Sequence, residues 1–177
     1  EKMTSENVSC LMVTSPGPQE GKTLTAINLG LSLVKDARRT VLLVDTNLRA
    51  PKVHTYLGLT CKKGLTDYLI NGTDLQDVLI SPNIPGFVVL PAGGSAQCST
   101  EMLNSSQMKA LVTELKRRYP NRCVLFDSPH IVDMPDSLVF SSYVDGVIMV
   151  VQPEKTRSQD IQESMRLFAQ RKVVGVV

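Results

Sequence analysis

The sequence has 177 residues, of which 42% are hydrophobic and 20% charged, and its net charge is +2. This length suffices for one domain with a full hydrophobic core, so we predict a single domain over residues 1–177. No run of 18 apolar residues exists, which excludes a transmembrane helix. The basic residues are scattered and lack interleaved aromatic residues, which argues against a nucleic-acid partner.

The N-terminal segment and the cysteines indicate the cellular compartment of the protein. The polar segment Glu1–Glu6 does not resemble a signal peptide. Four cysteines form no C-x-x-C pair and lie near no histidine at metal-binding spacing. Free thiols in a chain poor in disulfides predict a reducing compartment, the cytoplasm. Cys10 and Cys123 fall in apolar runs and are predicted to be buried.

Short apolar runs alternate with helical patterns along the chain. Six runs are apolar on both faces, as expected of parallel strands covered by helices. They are Cys10–Thr14, Val41–Val44, Phe87–Leu90, Cys123–Phe126, Val147–Val151 and Val173–Val177. The alternation predicts an α/β fold: a doubly wound, mainly parallel sheet flanked by helices.

Three longer segments have the period of amphipathic helices. Leu24–Val34 is apolar nearly all round, which predicts deep burial. A second stripe runs from Met108 to Tyr119. The third contains Ile161, Met165, Phe168 and Ala169 and follows a capping-box pattern at Thr156–Gln159. Shorter helices are expected at 64–70 and 74–79.

The segment Ser15–Thr23, here called the phosphate loop, joins the first predicted strand to the first predicted helix. Backbone N–H groups of such a loop converge on an anion, and the helix N-terminus adds its positive end. We therefore predict that Lys22 contacts the terminal phosphates of a nucleotide and that Thr23 binds Mg²⁺. Pro16 stands where a small residue is usual, so the match is imperfect there. The predicted nucleotide-binding residues are Gly17, Pro18, Gln19, Glu20, Gly21, Lys22, Thr23, Leu24 and Arg49.

Two further polar motifs follow predicted strands, and parallel strands end at the same edge of a sheet. Asp127 is predicted to hold Mg²⁺ directly or through water, the alternative being a carboxylate that caps the next turn. Asp45, with Asn47 beyond it, is predicted to deprotonate an attacking hydroxyl or to organise the waters of Mg²⁺. Arg49 is expected either to bind phosphate charge or to be solvated.

Three segments resemble the Walker-type motifs of bacterial tyrosine kinases, cytoplasmic autokinases tied to exopolysaccharide and capsule synthesis. They are Ser15–Thr23, Val41–Pro51 and Val124–Pro129. The resemblance extends from about Val8 to Val177, and Arg118–Arg122 is most similar to the subgroup associated with exosortase systems. The middle motif, Val41–Pro51, is the most specific of the three. The wider MinD/ParA ATPases share the phosphate loop, but they have the residue pattern of this middle motif less often.

This resemblance implies an ATP- and Mg²⁺-dependent protein-tyrosine autokinase that regulates exopolysaccharide or capsule biosynthesis and export. The implied partners are a polysaccharide co-polymerase or membrane adaptor, a tyrosine-bearing substrate protein and further copies of the chain. Such an adaptor would place the protein at the inner face of the membrane. The implied catalytic residues are Lys22, Asp45, Asn47 and Asp127, and the implied metal ligands are Thr23, Asp45 and Asp127.

Three departures from the family pattern leave alternatives open. The family usually has a second Asp where Asn47 stands, and an amide cannot take a proton. The tyrosine-rich tail is missing, and Glu1–Asn7 lacks the arginine of the usual assembly segment. The sequence is then either a fragment or a degenerate member. The alternative functions are a MinD/ParA-type ATPase switch, although Ser15–Glu20 lacks its extra lysine, and a weakened nucleotide-binding regulator of polysaccharide export.

Overall fold

The fold was derived from a computed structural model, which describes residues 9–37, 39–118, 122–132, 134–169 and 172–177. The strands are β1 (Cys10–Thr14), β2 (Thr40–Asp45), β3 (Phe87–Leu90), β4 (Arg122–Asp127), β5 (Gly146–Met149) and β6 (Val173–Val176). The helices are α1 (Lys22–Ala37), α2 (Val53–Tyr56), α3 (Leu65–Asn71), α4 (Leu75–Val78), α5 (Ser99–Leu103), α6 (Ser106–Arg118), α7 (Pro135–Phe140) and α8 (Ser158–Leu167), with a 3-10 turn at Ser141–Tyr143. Tyr119–Asn121, within the segment compared with the exosortase subgroup, lies outside the described residues, as does Val8.

The six strands form one sheet in the order β3-β2-β4-β1-β5-β6, and each described pairing of neighbouring strands is parallel. This confirms the predicted doubly wound parallel sheet. Strand β1 lies between β4 and β5, so the chain leaves it in one direction towards β2 and later returns to its other side. Ligands of such sheets bind at the carboxyl ends of the strands near this reversal.

The core lies on both faces of the sheet because successive side chains of a strand point to opposite sides. On β1, Cys10 and Met12 belong to the apolar cluster that includes α6, whereas Leu11 and Val13 belong to the cluster that includes α1. The predicted burial of Cys10 and Cys123 is confirmed. In the described part of the chain, no helix has both the length and the apolar character needed to cross a membrane.

Two helix predictions were wrong in detail. Helix α1 is not buried all round: Leu24 is 50% exposed, and the buried face consists of Ala26, Ile27 and Gly30. On α8, Met165 is 41% exposed, and Ser164 is buried instead, one residue away around the helix. The periodicity of apolar residues cannot detect a buried serine, because serine is polar and does not count towards the apolar stripe.

The capping box expected at Thr156–Gln159 is also absent from the structure. The residue at the N-cap of α8 is Arg157, and its side chain makes no capping hydrogen bond. The hydroxyl of Thr156 instead donates to a carboxylate of the phosphate loop. A side chain that forms a long-range contact is not available to cap its own helix.

Candidate active site

The phosphate loop is a tight turn between β1 and α1. Gln19 and Gly21 both have positive φ angles, of 58° and 88°. The Ser15 hydroxyl donates to the Gly17 carbonyl over 2.6 Å, and the Gly17 N–H donates to the Glu20 carboxylate over 2.8 Å. Pro18, Gln19, Gly21 and Leu24 are exposed, whereas Glu20 is buried. The loop thus presents backbone to solvent at the positive end of α1, as an anion-binding turn requires.

The first turn of α1 brings Lys22 and Thr23 to Asp127 at the end of β4. The Thr23 hydroxyl donates to Oδ2 of Asp127 over 2.7 Å. Lys22 is 9% exposed, and burial lowers its pKa, although the charges of Asp127, Glu20 and Asp45 act to raise it. The structure therefore brings together the three residues that the sequence predicted for phosphate and metal.

A divalent cation fits this arrangement. Asp127 is fully buried, and among the described residues its Oδ1 atom has no hydrogen-bond partner. A buried carboxylate oxygen without a partner is costly unless a ligand satisfies it. In the described part of the chain, no cluster of three His, Cys, Asp or Glu side chains is arranged for a metal. Mg²⁺ requires no such cluster, because it binds through one or two protein oxygens together with phosphates and waters.

Asp45 lies opposite Asp127 in the register of β2 and β4 and is equally buried. Its Oδ1 accepts the N–H of Asn47, and its Oδ2 accepts the N–H groups of Lys52 and Val53, each over 3.1 Å. Asp45 thereby holds the loop 46–53 and the start of α2. The sequence did not reveal this structural role, since an Asp after a strand is equally typical of a catalytic carboxylate.

The two buried carboxylates influence each other electrostatically. Burial and the negative charge of Asp127 raise the pKa of Asp45 to about 8, although its three backbone hydrogen bonds oppose this rise. Burial also raises the pKa of Asp127, to about 6, against the effects of Thr23 and Lys22. A cation at the site would relieve this repulsion.

Asn47 and Arg49 lie in the loop that Asp45 holds. Asn47 is 9% exposed. The Nε of Arg49 donates to the buried carboxylate of Asp136 over 2.7 Å, and its Nη2 donates to the Thr100 hydroxyl over 3.2 Å. The structure thus pairs Arg49 with α5 and α7. Its predicted contact with phosphate stays a prediction, to be made by the remaining N–H groups of the guanidinium.

Asp136 was missed by the sequence reasoning. Its carboxylate accepts hydrogen bonds from Arg49, Thr100 and Ser99, which connect the loop after β2 with helices α5 and α7. Burial acts to raise the pKa of Asp136, but these hydrogen bonds outweigh it and lower the pKa. No local pattern marks this residue, because its partners lie 36 to 87 positions away along the chain.

The fold and the arrangement of the phosphate loop define an α/β protein with the P-loop NTPase fold. MinD from Pyrococcus horikoshii OT3, solved with Mg-ADP, has this fold, with a TM-score of 0.76 and 21% identity over 94% of this chain and 67% of its own. The kinase domain of VpsO matches with a TM-score of 0.91 and 31% identity, covering 99% of this chain and 86% of that one.

Curated proteins give the same result. The tyrosine-protein kinase YwqD of Bacillus subtilis (strain 168) is 31% identical over 169 residues, which cover 94% of this chain and 70% of YwqD. The tyrosine-protein kinase ptk of Acinetobacter johnsonii is 26% identical over 168 residues, 95% of this chain but 22% of its own length. No family model matches the sequence. The chain belongs to the bacterial tyrosine-protein kinase family.

Proposed function

We propose that the protein is an ATP- and Mg²⁺-dependent tyrosine kinase that phosphorylates itself or a partner and regulates exopolysaccharide or capsule biosynthesis and export. The observation that carries this proposal is the meeting of Lys22, Thr23 and Asp127 at the phosphate loop, with Asp45 beside them. Family membership supports the kinase activity. We place the protein in the cytoplasm, at the inner face of the membrane through a polysaccharide co-polymerase or membrane adaptor, with self-association as a further contact.

We assign each of these residues a distinct task. The backbone of Gly17–Gly21 and the Lys22 ammonium bind the phosphates of ATP. Thr23 and Asp127 would hold Mg²⁺, which, when bound, neutralises phosphate charge. In phosphoryl transfer the protein takes little part in covalent chemistry, so most of the rate enhancement comes from positioning the phosphates and neutralising their charge.

Asp45 is the proposed general base. The tyrosine oxygen forms a bond to the γ-phosphorus, the bond between that phosphorus and the bridging oxygen of ADP breaks, and the hydroxyl proton passes to the Asp45 carboxylate. A carboxylate has about four lone-pair positions, and three are used by backbone N–H groups, so one remains. A raised pKa suits a group that accepts a proton near neutral pH.

The direct test is incubation of the chain with Mg·ATP and a tyrosine-bearing peptide, with detection of phosphotyrosine. We expect Lys22→Met to lower transfer at least about 100-fold, because it removes a cation from the phosphates. Lys109→Met, which removes a charge from the exposed face of α6, is the matched control and should leave transfer unchanged. Nucleotide binding without any phosphotyrosine would count against the kinase assignment.

Substitution of Asn47 tests the two alternative functions, an ATPase switch and a weakened nucleotide-binding regulator. If the amide limits catalysis, Asn47→Asp should raise phosphotransfer several-fold, because a second carboxylate organises Mg²⁺ and its waters better than an amide does. ATP-dependent dimerisation with phosphate release but no phosphotyrosine, in both forms, would favour the ATPase switch, whose fold MinD shares. Failure of both forms to bind ATP would favour the non-catalytic regulator.

A further inference from the structure

The loop between β5 and α8, residues 150–157, lies against the phosphate loop. Strands β1 and β5 are parallel neighbours, so the loops that follow them leave the same edge of the sheet. The Lys155 ammonium donates to the Gln19 carbonyl over 2.9 Å, and the Thr156 hydroxyl donates to Oε1 of Glu20 over 2.6 Å. The proposed kinase reaction uses neither Lys155 nor Thr156.

These contacts form a continuous hydrogen-bonded path. The Thr156 hydroxyl accepts the N–H of Gln152 over 2.9 Å, which fixes its orientation. The Glu20 carboxylate receives Thr156 on Oε1 and the Gly17 N–H on Oε2. Glu20 is only 7% exposed although it belongs to an otherwise exposed turn. The carboxylate therefore connects the loop 150–157 with the turn that binds phosphate.

The loop 150–157 is itself compact enough to act as a support. The N–H groups of Lys155 and Thr156 both donate to the Gln152 carbonyl, over 3.2 and 3.0 Å. The loop is also continuous with the sheet, because the Val150 N–H donates to the carbonyl of Thr14 on β1 over 2.8 Å. Its position relative to the phosphate loop is thus set by the sheet.

The phosphate loop needs such support at one residue in particular. Gln19 has a φ of 58°, in the left-handed region that favours glycine and strains other side chains. Its carbonyl is the acceptor for Lys155, and the next residue, Glu20, is the acceptor for Thr156. Both contacts hold the strained turn in its observed conformation.

We propose that the loop 150–157 is a clamp that pre-organises the phosphate loop, and that Lys155 and Thr156 are positioning residues for nucleotide binding. The inference rests on the proposed function, since it assumes that a nucleotide binds there. A turn already held in its bound conformation spends less of the binding free energy on ordering.

The first test is calorimetric titration of the chain with Mg·ADP. We expect Lys155→Met to raise Kd about tenfold, the typical loss when a charged donor is removed from a hydrogen bond. Lys155→Arg should stay within about threefold of the unmodified chain, because it keeps a charged donor. Lys109→Met is the control for the lost charge and should not change Kd. An unchanged Kd in Lys155→Met would overturn the clamp while leaving the kinase proposal intact, whereas no binding by the unmodified chain would overturn both.

The second test distinguishes a positioning role of Lys155 from an effect of its charge alone. Gly adopts positive φ without strain, so in the Gln19→Gly background the clamp has less to hold. We expect Lys155→Met to raise Kd no more than about threefold in that background. An equal loss of affinity in both backgrounds would show that Lys155 acts as a charge alone and would overturn the proposal.

A third test uses Thr156→Val, which leaves all charges in place. This change should raise Kd about fivefold, and its effect should not add to that of Glu20→Gln. Full additivity of these two changes would also contradict the clamp.

Discussion

The ends of β2 and β4 carry two aspartates that look alike in the sequence and differ in the structure. Asp45 and Asp127 are register partners, and both are fully buried. Asp45 binds three backbone N–H groups of its own loop. Asp127 binds the Thr23 hydroxyl with one oxygen, and among the described residues no partner reaches the other.

This difference shows that two aspartates at the same edge of the sheet have different roles. Asp45 stabilises the fold of the loop that follows it through these three hydrogen bonds, although burial still raises its pKa. Asp127 retains a buried oxygen for a ligand and is therefore a source of instability in the free protein. Burial and charge alone do not distinguish the two residues; their hydrogen-bond partners do.

The largest effect should come from Asp127→Asn. We expect Mg²⁺-dependent nucleotide affinity and phosphotransfer to fall at least about 100-fold, because a neutral amide binds a cation poorly. The thermal stability of the free protein should stay equal or rise, since one of two neighbouring buried charges is removed.

Asp145→Asn is the matched control for this change. Asp145 accepts the N–H groups of Ser9 and Cys10 and pairs with Lys116, away from the phosphate loop. Its loss should reduce stability without changing nucleotide affinity. A fall in the stability of Asp127→Asn as large as that of Asp145→Asn would remove the distinction between ligand-binding and fold-stabilising aspartates.

Asp45→Ala should show the opposite balance. The change leaves the N–H groups of Asn47, Lys52 and Val53 without their acceptor, and we expect the free energy of unfolding to fall by about 3 kcal/mol. Asp45→Asn keeps an oxygen acceptor and should cost only about 1 kcal/mol while still abolishing the proposed base. Urea denaturation measures the first effect and the phosphotyrosine assay the second. Equal stability of the Ala and Asn forms would mean that the three hydrogen bonds contribute little.

The pH dependence of stability sharpens the comparison further. The folded-state pKa values of Asp45 and Asp127 are raised, to about 8 and about 6, whereas an unfolded Asp titrates near about 4. Between these values the folded chain binds more protons than the unfolded chain, so stability should decrease as pH rises from about 5 to about 8. Asp136 and Asp145, whose pKa values are lowered, contribute stability that is lost only below about pH 4.

Thermal melting between pH 5 and 8, roughly the window set by the raised carboxyl pKa values, measures this slope. Asp127→Asn should flatten it, because one of the two interacting carboxylates no longer titrates. Saturating Mg·ADP should flatten it as well, since a bound cation favours the ionised carboxylates. A profile without slope in the unmodified free protein would contradict the raised pKa values.

The smallest effect is expected from Arg49→Met. The Arg49 side chain is 36% exposed, so its pair with Asp136 is partly screened by solvent and should contribute about 1 kcal/mol to stability. If Arg49 only anchors the loop 46–53, nucleotide affinity should change less than about threefold. A loss of about tenfold or more would show that Arg49 also binds phosphate, as the sequence predicted.

The sheet was predictable because its strands are apolar on both faces. All six predicted strands are present, and β1 and β3 have the predicted bounds. At β5 the apolar run continues through Val151, whereas the strand ends at Met149, because Val150 and Val151 already belong to the loop that turns towards the phosphate loop. Apolar content marks burial, and here the backbone hydrogen bonds to the neighbouring strands also continue past Met149, from the Val150 N–H to Thr14 and from the Val151 N–H to Val177. The extent of the domain, residues 1–177, stays a prediction.

The site was predictable only as far as its residues follow strands in the sequence. The convergence of Lys22, Asp45 and Asp127 followed from topology, and the structure confirms it. Their catalytic and metal-binding roles stay predictions. Asp136 and Thr156 were not predictable, because their partners lie on other loops; Thr156 and Glu20, for example, are separated by 136 positions. The local sequence pattern predicts which edge of the sheet holds the site. It does not predict which side chains form hydrogen bonds with residues far away along the chain.

The packing of Gly30 in α1 against the sheet has a consequence for how the protein tolerates substitutions. A methyl group at Gly30 would lie 2.6 Å from the Phe87 ring, so the helix rests directly on an aromatic side chain of β3. Thr23 is seven residues before Gly30 on the same rigid helix, about 10 Å along its axis. A larger side chain would force either the Phe87 ring or the helix to shift, and a shift of the helix would move the Thr23 hydroxyl relative to Asp127. A substitution within the apolar interior would thereby alter the contact between Thr23 and Asp127 from a distance.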